Sequence, residues 1–263
     1  MTLSLTKTLG NEHEKRKAFG HLDSPWIGSL PSLLVTLLLR HPHLLKAHMI
    51  KISNTSKLNA RSWSLQALDT CPGSISSPGV LVDACKGCYA TTGNYNYPNV
   101  KAPRLSNRED WQRMDWVNDM VDELDQDRYF RWFDSGDMYT LALAEKMLEV
   151  MRRTPWCNHW LPTRMHKFPK FEMVLREMQS LPNVMVRFSS DSVIGEYIPG
   201  LHGSVIGPDP ETFQPSEGVK LCEAYANGGN CSGCRACWDK SIPLIAYPAH
   251  GKKMGKVIRM VAA

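Results

Sequence analysis

Seven cysteines carry the chemistry that this sequence advertises. Four of them, Cys222, Cys231, Cys234 and Cys237, fall in the glycine-rich stretch 221–239. Thiolates a few residues apart on a tight turn can point to the same side and meet at one metal centre. Three in series, with a fourth arriving from upstream, suit an iron–sulfur cluster better than a lone zinc ion, whose sites usually combine two separated pairs. A structural zinc knot is the competing occupant. The second set, Cys71, Cys85 and Cys88, needs a fourth ligand or leaves one position open. Cys157 lies between Trp156 and Asn158 and reads as a buried core thiol, although it can also complete that set. The spacing leaves open whether the two groups hold one or two clusters, 4Fe–4S in type, and whether one loop lends a ligand to the other.

Composition bounds the setting of those thiols. The chain has 263 residues, 43% of them hydrophobic and 22% charged, which suits an ordinary globule with a sizeable core. A net charge of +5 without a lysine or arginine run permits contact with nucleic acid but does not require it. Eight cysteines can mean four disulfides in a secreted protein. Against that, the opening residues, with Glu12, Glu14 and Asp23, carry no signal-peptide core. The apolar run 33–39 ends at Arg40, His41 and Pro42, too short for a bilayer. The expectation is a cytoplasmic protein with no membrane segment, in which reduced, clustered cysteines bind metal.

The elements that must position the cysteines alternate. Residues 1–48 read as an N-terminal arm with a leucine-rich helix over 30–47. From residue 49 the pattern switches to strands and helices. Residues 62–68 read as a first strand leading into the Cys71 loop, and 85–90 open a short helix. Trp111, Met114, Val117, Val121 and Leu124 recur at helical spacing. Strands are expected at 129–133, 159–161, 184–188, 204–206 and 242–247. Amphipathic helices are expected over 141–151 and 168–178. Such alternation indicates βαβ units and a parallel sheet. The domain reading is a β/α partial barrel over 49–210, completed by a cysteine-rich C-terminal extension over 211–263.

Several expected strands end in small polar clusters: Asp134, Ser135, Gly136 and Asp137; Thr163 and Arg164; Ser189, Ser190 and Asp191; and His250. In parallel barrels the carboxyl ends of the strands share one face, and that face holds the active site. Arg187 and Ser189 would face away from Val184, Val186 and Phe188. Singly, each residue has a plain structural explanation: Arg164 with Asp137 as an ion pair, or an aspartate as a helix N-cap. As a set they suggest a site. Asp134, Asp137, Arg164, Arg187 and Asp191 would orient a small molecule by charge-assisted hydrogen bonds, with Ser135, Gly136 and Ser189 lining its cofactor. His159, His166 and His202 have no ligand spacing. Tyr89, Tyr95, Tyr97 and Trp111, near Lys101, Arg104 and Arg108, can stack on nucleotides, but packing around the cluster loop explains them more simply.

The motifs Thr70-Cys71-Pro72-Gly73, Ala84-Cys85-Lys86-Gly87-Cys88-Tyr89-Ala90, 130–137 (FRWFDSGD), 160–164 (WLPTR) and 231–239 (CSGCRACWD) resemble the gene product 88 family of bacteriophages, over about residues 51–250. That resemblance implies kinship and no particular reaction. The chain is also distantly similar to the radical S-adenosylmethionine enzymes. In those partial or full β/α barrels a three-cysteine loop follows the first strand and leaves one iron open to substrate. Cys71, Cys85 and Cys88 match that place, and Ser135-Gly136-Asp137 matches a glycine-rich acidic turn, although the spacing from Cys71 to Cys85 is longer than that superfamily's. This second likeness implies S-adenosylmethionine as a ligand. The expected function is a phage-type iron–sulfur protein, either a radical enzyme with a small-molecule substrate or a redox protein with an electron-transfer partner. The contrasting expectation is a non-enzymatic module, stabilised by zinc or a cluster, that binds nucleic acid or a host protein.

Overall fold

The computed structural model describes residues 50–207 and 218–263. The expected N-terminal arm and its leucine-rich helix lie outside the described residues. The remainder belongs to one compact unit, His48–Ala263.

An eight-stranded sheet forms its centre. A hairpin opens it: β1 (Ile52–Thr55) runs antiparallel to β2 (Ala60–Trp63). Five further strands continue from β2 in parallel, in chain order: β5 (Tyr129–Trp132), β6 (Asn158–Thr163), β7 (Val184–Ser189), β8 (Gly203–Gly207) and β10 (Leu244–Pro248). The short β9 (Val219–Leu221) is parallel to β10 and forms the far edge. A separate two-stranded ribbon, β3 (Ile75–Ser77) with β4 (Val80–Leu81), lies within the first cysteine loop.

This is a mixed α/β fold with a mostly parallel central sheet. The residues expected to form a C-terminal extension supply β9 and β10 to that same sheet, so no separate iron–sulfur-binding module is evident.

Alternation along the strands sorts the side chains onto two faces. Phe130, Trp132, Leu161, Val184, Val186 and Phe188 point into the main apolar core. That core is shared with the helices α3 (Trp116–Glu123), α4 (Leu141–Arg153) and α5 (Glu172–Ser180), whose apolar stripes recur every three or four residues. Thr140 caps α4 by accepting from the Leu143 amide at 3.2 Å, and Arg152 and Arg153 occupy its last turn.

Three local expectations change. The strand expected over 62–68 ends at Trp63, although the Leu65 amide still donates to Ser135 at 3.0 Å. The stripe expected to run from Trp111 to Leu124 is broken. One helix, α2 (Pro98–Asp110), stops before Trp111 and α3 begins at Trp116, leaving Met114 98% exposed between them. Arg113 holds that break by pairing with Asp110, Asp115 and Asp119. Around the first cysteines the helix is shorter and earlier than expected: α1 covers Asp83–Lys86, followed by a 3-10 turn at Tyr89–Thr91.

Candidate functional site

The opposite face of the sheet mixes polar and aromatic side chains and borders a cavity of about 850 Å³. Six of the eight cysteines line it: Cys71, Cys85 and Cys88 from the first loop, and Cys222, Cys231 and Cys237 from the C-terminal loop. Cys234 is exposed and outside the lining, and Cys157 is buried in the apolar core.

The first loop is built by short backbone closures. The Cys71 amide donates to Leu68 at 3.2 Å, and Cys71's own carbonyl accepts from the Ser74 amide and hydroxyl at 2.9 and 2.6 Å. The Cys88 amide donates to the Cys85 carbonyl at 3.2 Å, which closes a turn between the two thiols. Two contacts fasten this loop to the sheet. The Ala84 amide donates to Asp191 at 2.9 Å, and Gly73 packs so close to Arg164 that a Cβ there would lie 2.5 Å from the Arg164 Cβ. Burial pushes the Cys71 thiol up to about 12, with help from the nearby Asp137, Cys85 and Cys88; Cys85 is raised, mainly by burial. Buried thiols of this kind stay protonated until a cation compensates their charge.

The second loop is held from the middle of the sheet. Arg187, fully buried on β7, donates to the carbonyls of Cys237, Ala236, Asp239 and Ile242 at 2.9–3.0 Å. It does not line the cavity, because its guanidinium is spent on shaping this loop. The last strand contributes the other ties. The Cys222 amide donates to Ala246 at 2.8 Å, and the Cys237 Sγ lies 3.4 Å from the Tyr247 hydroxyl. Burial raises Cys237, against the pull of Tyr247, Arg187 and Arg131.

The strand-end carboxylates have distinct tasks. Asp137 is buried beneath the cavity. It accepts from the Met138 amide, the Thr163 hydroxyl and the Arg164 amide at 2.8–2.9 Å, so it staples the end of β5 to that of β6. Burial raises its carboxyl to about 6 against those three donors. Arg164 therefore meets Asp137 through its backbone. Its side chain instead reaches Asp191 at 3.2 Å and the Ser190 carbonyl at 2.7 Å. Asp191, also bonded to Lys167 at 2.6 Å, lies outside the cavity lining. Both carboxylate oxygens of Asp134 accept from Arg104 Nη2, at 2.9 and 3.1 Å; burial alone would raise its carboxyl, but Arg131 and Arg104 hold it below its usual value. Ser135 accepts from Arg104 at 2.6 Å and donates to Leu65 at 2.7 Å. Gly136 has φ +83°, and a Cβ there would lie 2.6 Å from Leu65, so the turn requires glycine. Ser189 lines the cavity beside Ser204.

The aromatic group is split between surface and core: Tyr89 and Tyr97 are exposed, whereas Trp111 is not. Trp111 is buried and donates to the Tyr139 hydroxyl at 3.0 Å, Arg104 is buried in its ion pair, and Tyr89 and Tyr95 meet edge to face at 5.4 Å. Sequence reasoning missed Arg131 and Tyr247, which both line the cavity. Arg131 alternates with Phe130 and Trp132, and that alternation is the signal that could have found it.

Among the described residues, no three Cys, His, Asp or Glu side chains converge on a single-ion site. Zinc bonded at about 2.3 Å to each thiolate needs sulfurs within about 4 Å of one another. The thiols instead share the wall of the cavity, three from each loop. No described helix is long and apolar enough to cross a membrane.

These features define a mixed α/β protein with a thiol-lined cavity at the carboxyl ends of its parallel strands. The family model described as Gene product 88 matches residues 36–240, and the chain belongs to that phage family. No curated protein and no solved structure matches the chain.

Proposed function

We propose that this chain is an iron–sulfur protein that holds its metal on the wall of the central cavity. The observation that carries this reading is the convergence of six cysteines, from loops far apart in sequence, on one cavity. Cys71, Cys85 and Cys88 would hold one cluster; Cys222, Cys231 and Cys237, with Cys234 beside them, would hold a second or share the first. Such a group supplies single electrons, and at an iron without a protein ligand it supplies a Lewis acid. The chain's own part is to keep the thiols out of bulk water and to fix the loops through Arg187, Asp137 and Arg164.

The finer architecture belongs to the same proposal. A sheet whose parallel strands advance in chain order from β2 to β10 is the arrangement that curls into a partial β/α barrel. The three-cysteine loop then follows the first parallel strand, as in the radical S-adenosylmethionine enzymes. The test is anaerobic purification with iron, zinc and sulfide analysis and electron paramagnetic resonance. Cys71→Ser and Cys88→Ser are expected to lose iron, and Cys157→Ser to keep it. A colourless protein with stoichiometric zinc, or equal iron in all three variants, refutes the proposal. Formation of 5′-deoxyadenosine from S-adenosylmethionine by the reduced protein separates a radical enzyme from an electron carrier.

A further inference from the structure

The geometry points to a binding site in this cavity for an anionic small molecule, a carboxylate or phosphate, anchored by Arg131. The inference deepens the reading above, because it concerns the same cavity. Every other arginine discussed at this site is committed. Arg104 is paired with Asp134, Arg164 is bonded to Asp191 and the Ser190 carbonyl, and Arg187 is saturated by carbonyls. Arg131 is different. Among the described residues it makes no ion pair, and its one hydrogen bond is a long contact from Nη2 to the Tyr89 hydroxyl at 3.4 Å. Its Nε is buried without any partner. The guanidinium lies 4.6 Å above the Trp160 ring, which covers one face and leaves the donors at the rim for a ligand.

The balance of charge in the cavity points the same way. Its lining carboxylates, Asp134 and Asp137, are already taken by Arg104 and by three close donors. Lys57 also lines the cavity, and its amine has no ion pair or hydrogen bond among the described residues. Arg131 has no direct ion pair, although the charge of Asp134 lies near enough to act on it, and the planar fork of its guanidinium suits two oxygens of one carboxylate or phosphate. At about 850 Å³ the cavity is in the size range of small-molecule sites.

The experiment titrates the full-length protein, with iron and zinc measured on the same sample. Pyrophosphate and malonate are the anionic probes and malonamide the neutral control. Binding is read by calorimetry and by tryptophan fluorescence, because Trp160 is stacked on the anchoring group. The wild type is expected to bind pyrophosphate or malonate saturably and to ignore malonamide. Arg131→Gln should weaken binding at least about tenfold, with Arg131→Lys in between. Unchanged affinity in Arg131→Gln, equal binding of malonamide, or no saturable binding by the wild type overturns the inference. Should Arg131→Gln fail to fold, the Arg131→Lys variant and the malonate–malonamide contrast decide. Anion binding by a protein without iron would sustain this inference and defeat the metal reading. Iron lost from Arg131→Gln, with no anion bound by the wild type, would show that Arg131 balances thiolate charge, which overturns this inference alone.

Discussion

Replacing Arg187 with methionine tests whether the C-terminal cysteine loop is held from the sheet. The guanidinium is fully buried and donates four hydrogen bonds of 2.9–3.0 Å to carbonyls of residues 236–242. Hydrogen bonds to a charged group contribute about 1.5–3 kcal/mol each, a gross of about 6–12 kcal/mol. Against this stands the cost of burying a guanidinium with no carboxylate partner, several kcal/mol. That cost is visible in its pKa, which burial holds below the usual arginine value. Methionine fills the space of the stem but leaves four carbonyls without their donor. The expected net loss is about 3 kcal/mol, a large part of a typical stability of about 5–15 kcal/mol. With a urea dependence of about 3 kcal/mol per molar, the midpoint should fall by about 1 M. Limited proteolysis should then cut first within 222–239. A midpoint within about 0.2 M of wild type, with the loop still protected, would refute the argument that Arg187 shapes this loop.

Other expectations concern protonation and the turns. His159 is buried between two fixed partners. Its Nδ1 accepts from Trp132 at 3.2 Å, and its Nε2 meets the Thr154 hydroxyl, itself donating to Val150, at 2.8 Å, so the ring is neutral. Burial pushes His159 down to about 3, so its contribution to stability is complete above about 6.5 and is lost at about 1.4 kcal/mol per unit as pH falls. Asp137, raised to about 6, acts in the opposite sense: the folded state binds its proton more tightly, and stability falls as pH rises from about 4 to about 6. The two slopes offset each other in that window. Urea midpoints of His159→Gln should therefore fall between pH 4.5 and 6, and those of Asp137→Asn should rise; parallel profiles for the two variants would contradict the assignment. Gly136→Ala places a Cβ 2.6 Å from Leu65 at φ +83° and should cost more than about 2 kcal/mol. Gly79→Ala, at φ +77° with nothing within 4 Å, should cost about 1 kcal/mol. Thermal melts of the pair separate crowding from backbone conformation.

The parallel order of the strands was legible because each strand was apolar on one face and ended in small polar residues. The convergence of the two cysteine groups was expected only as one option, since spacing along a chain does not say which loops a sheet brings together. Arg187 was located correctly on β7, opposite Val186, but its partners are main-chain carbonyls about 50 residues onward, which leave no trace in side-chain types. The Arg104–Asp134 pair was hidden for a related reason. Arg104 follows Pro103 inside α2, and a proline there argues against the helix that positions it. At the exit of β5, Phe133 has φ +58°, which no apolar pattern foretells; the turn there aims Asp134 at Arg104 rather than continuing the strand.

Two of the C-terminal thiols depend on the final strand, through Cys222 to Ala246 and Cys237 to Tyr247. During synthesis, Cys71, Cys85 and Cys88 leave the ribosome long before their counterparts. They wait in a half-built wall until Leu244–Pro248 has emerged and docked. If one cofactor is shared by both groups, as proposed above, its uptake would have to follow the docking of Leu244–Pro248, and a nascent polypeptide stalled upstream of residue 244 would leave the first three thiols without their counterparts.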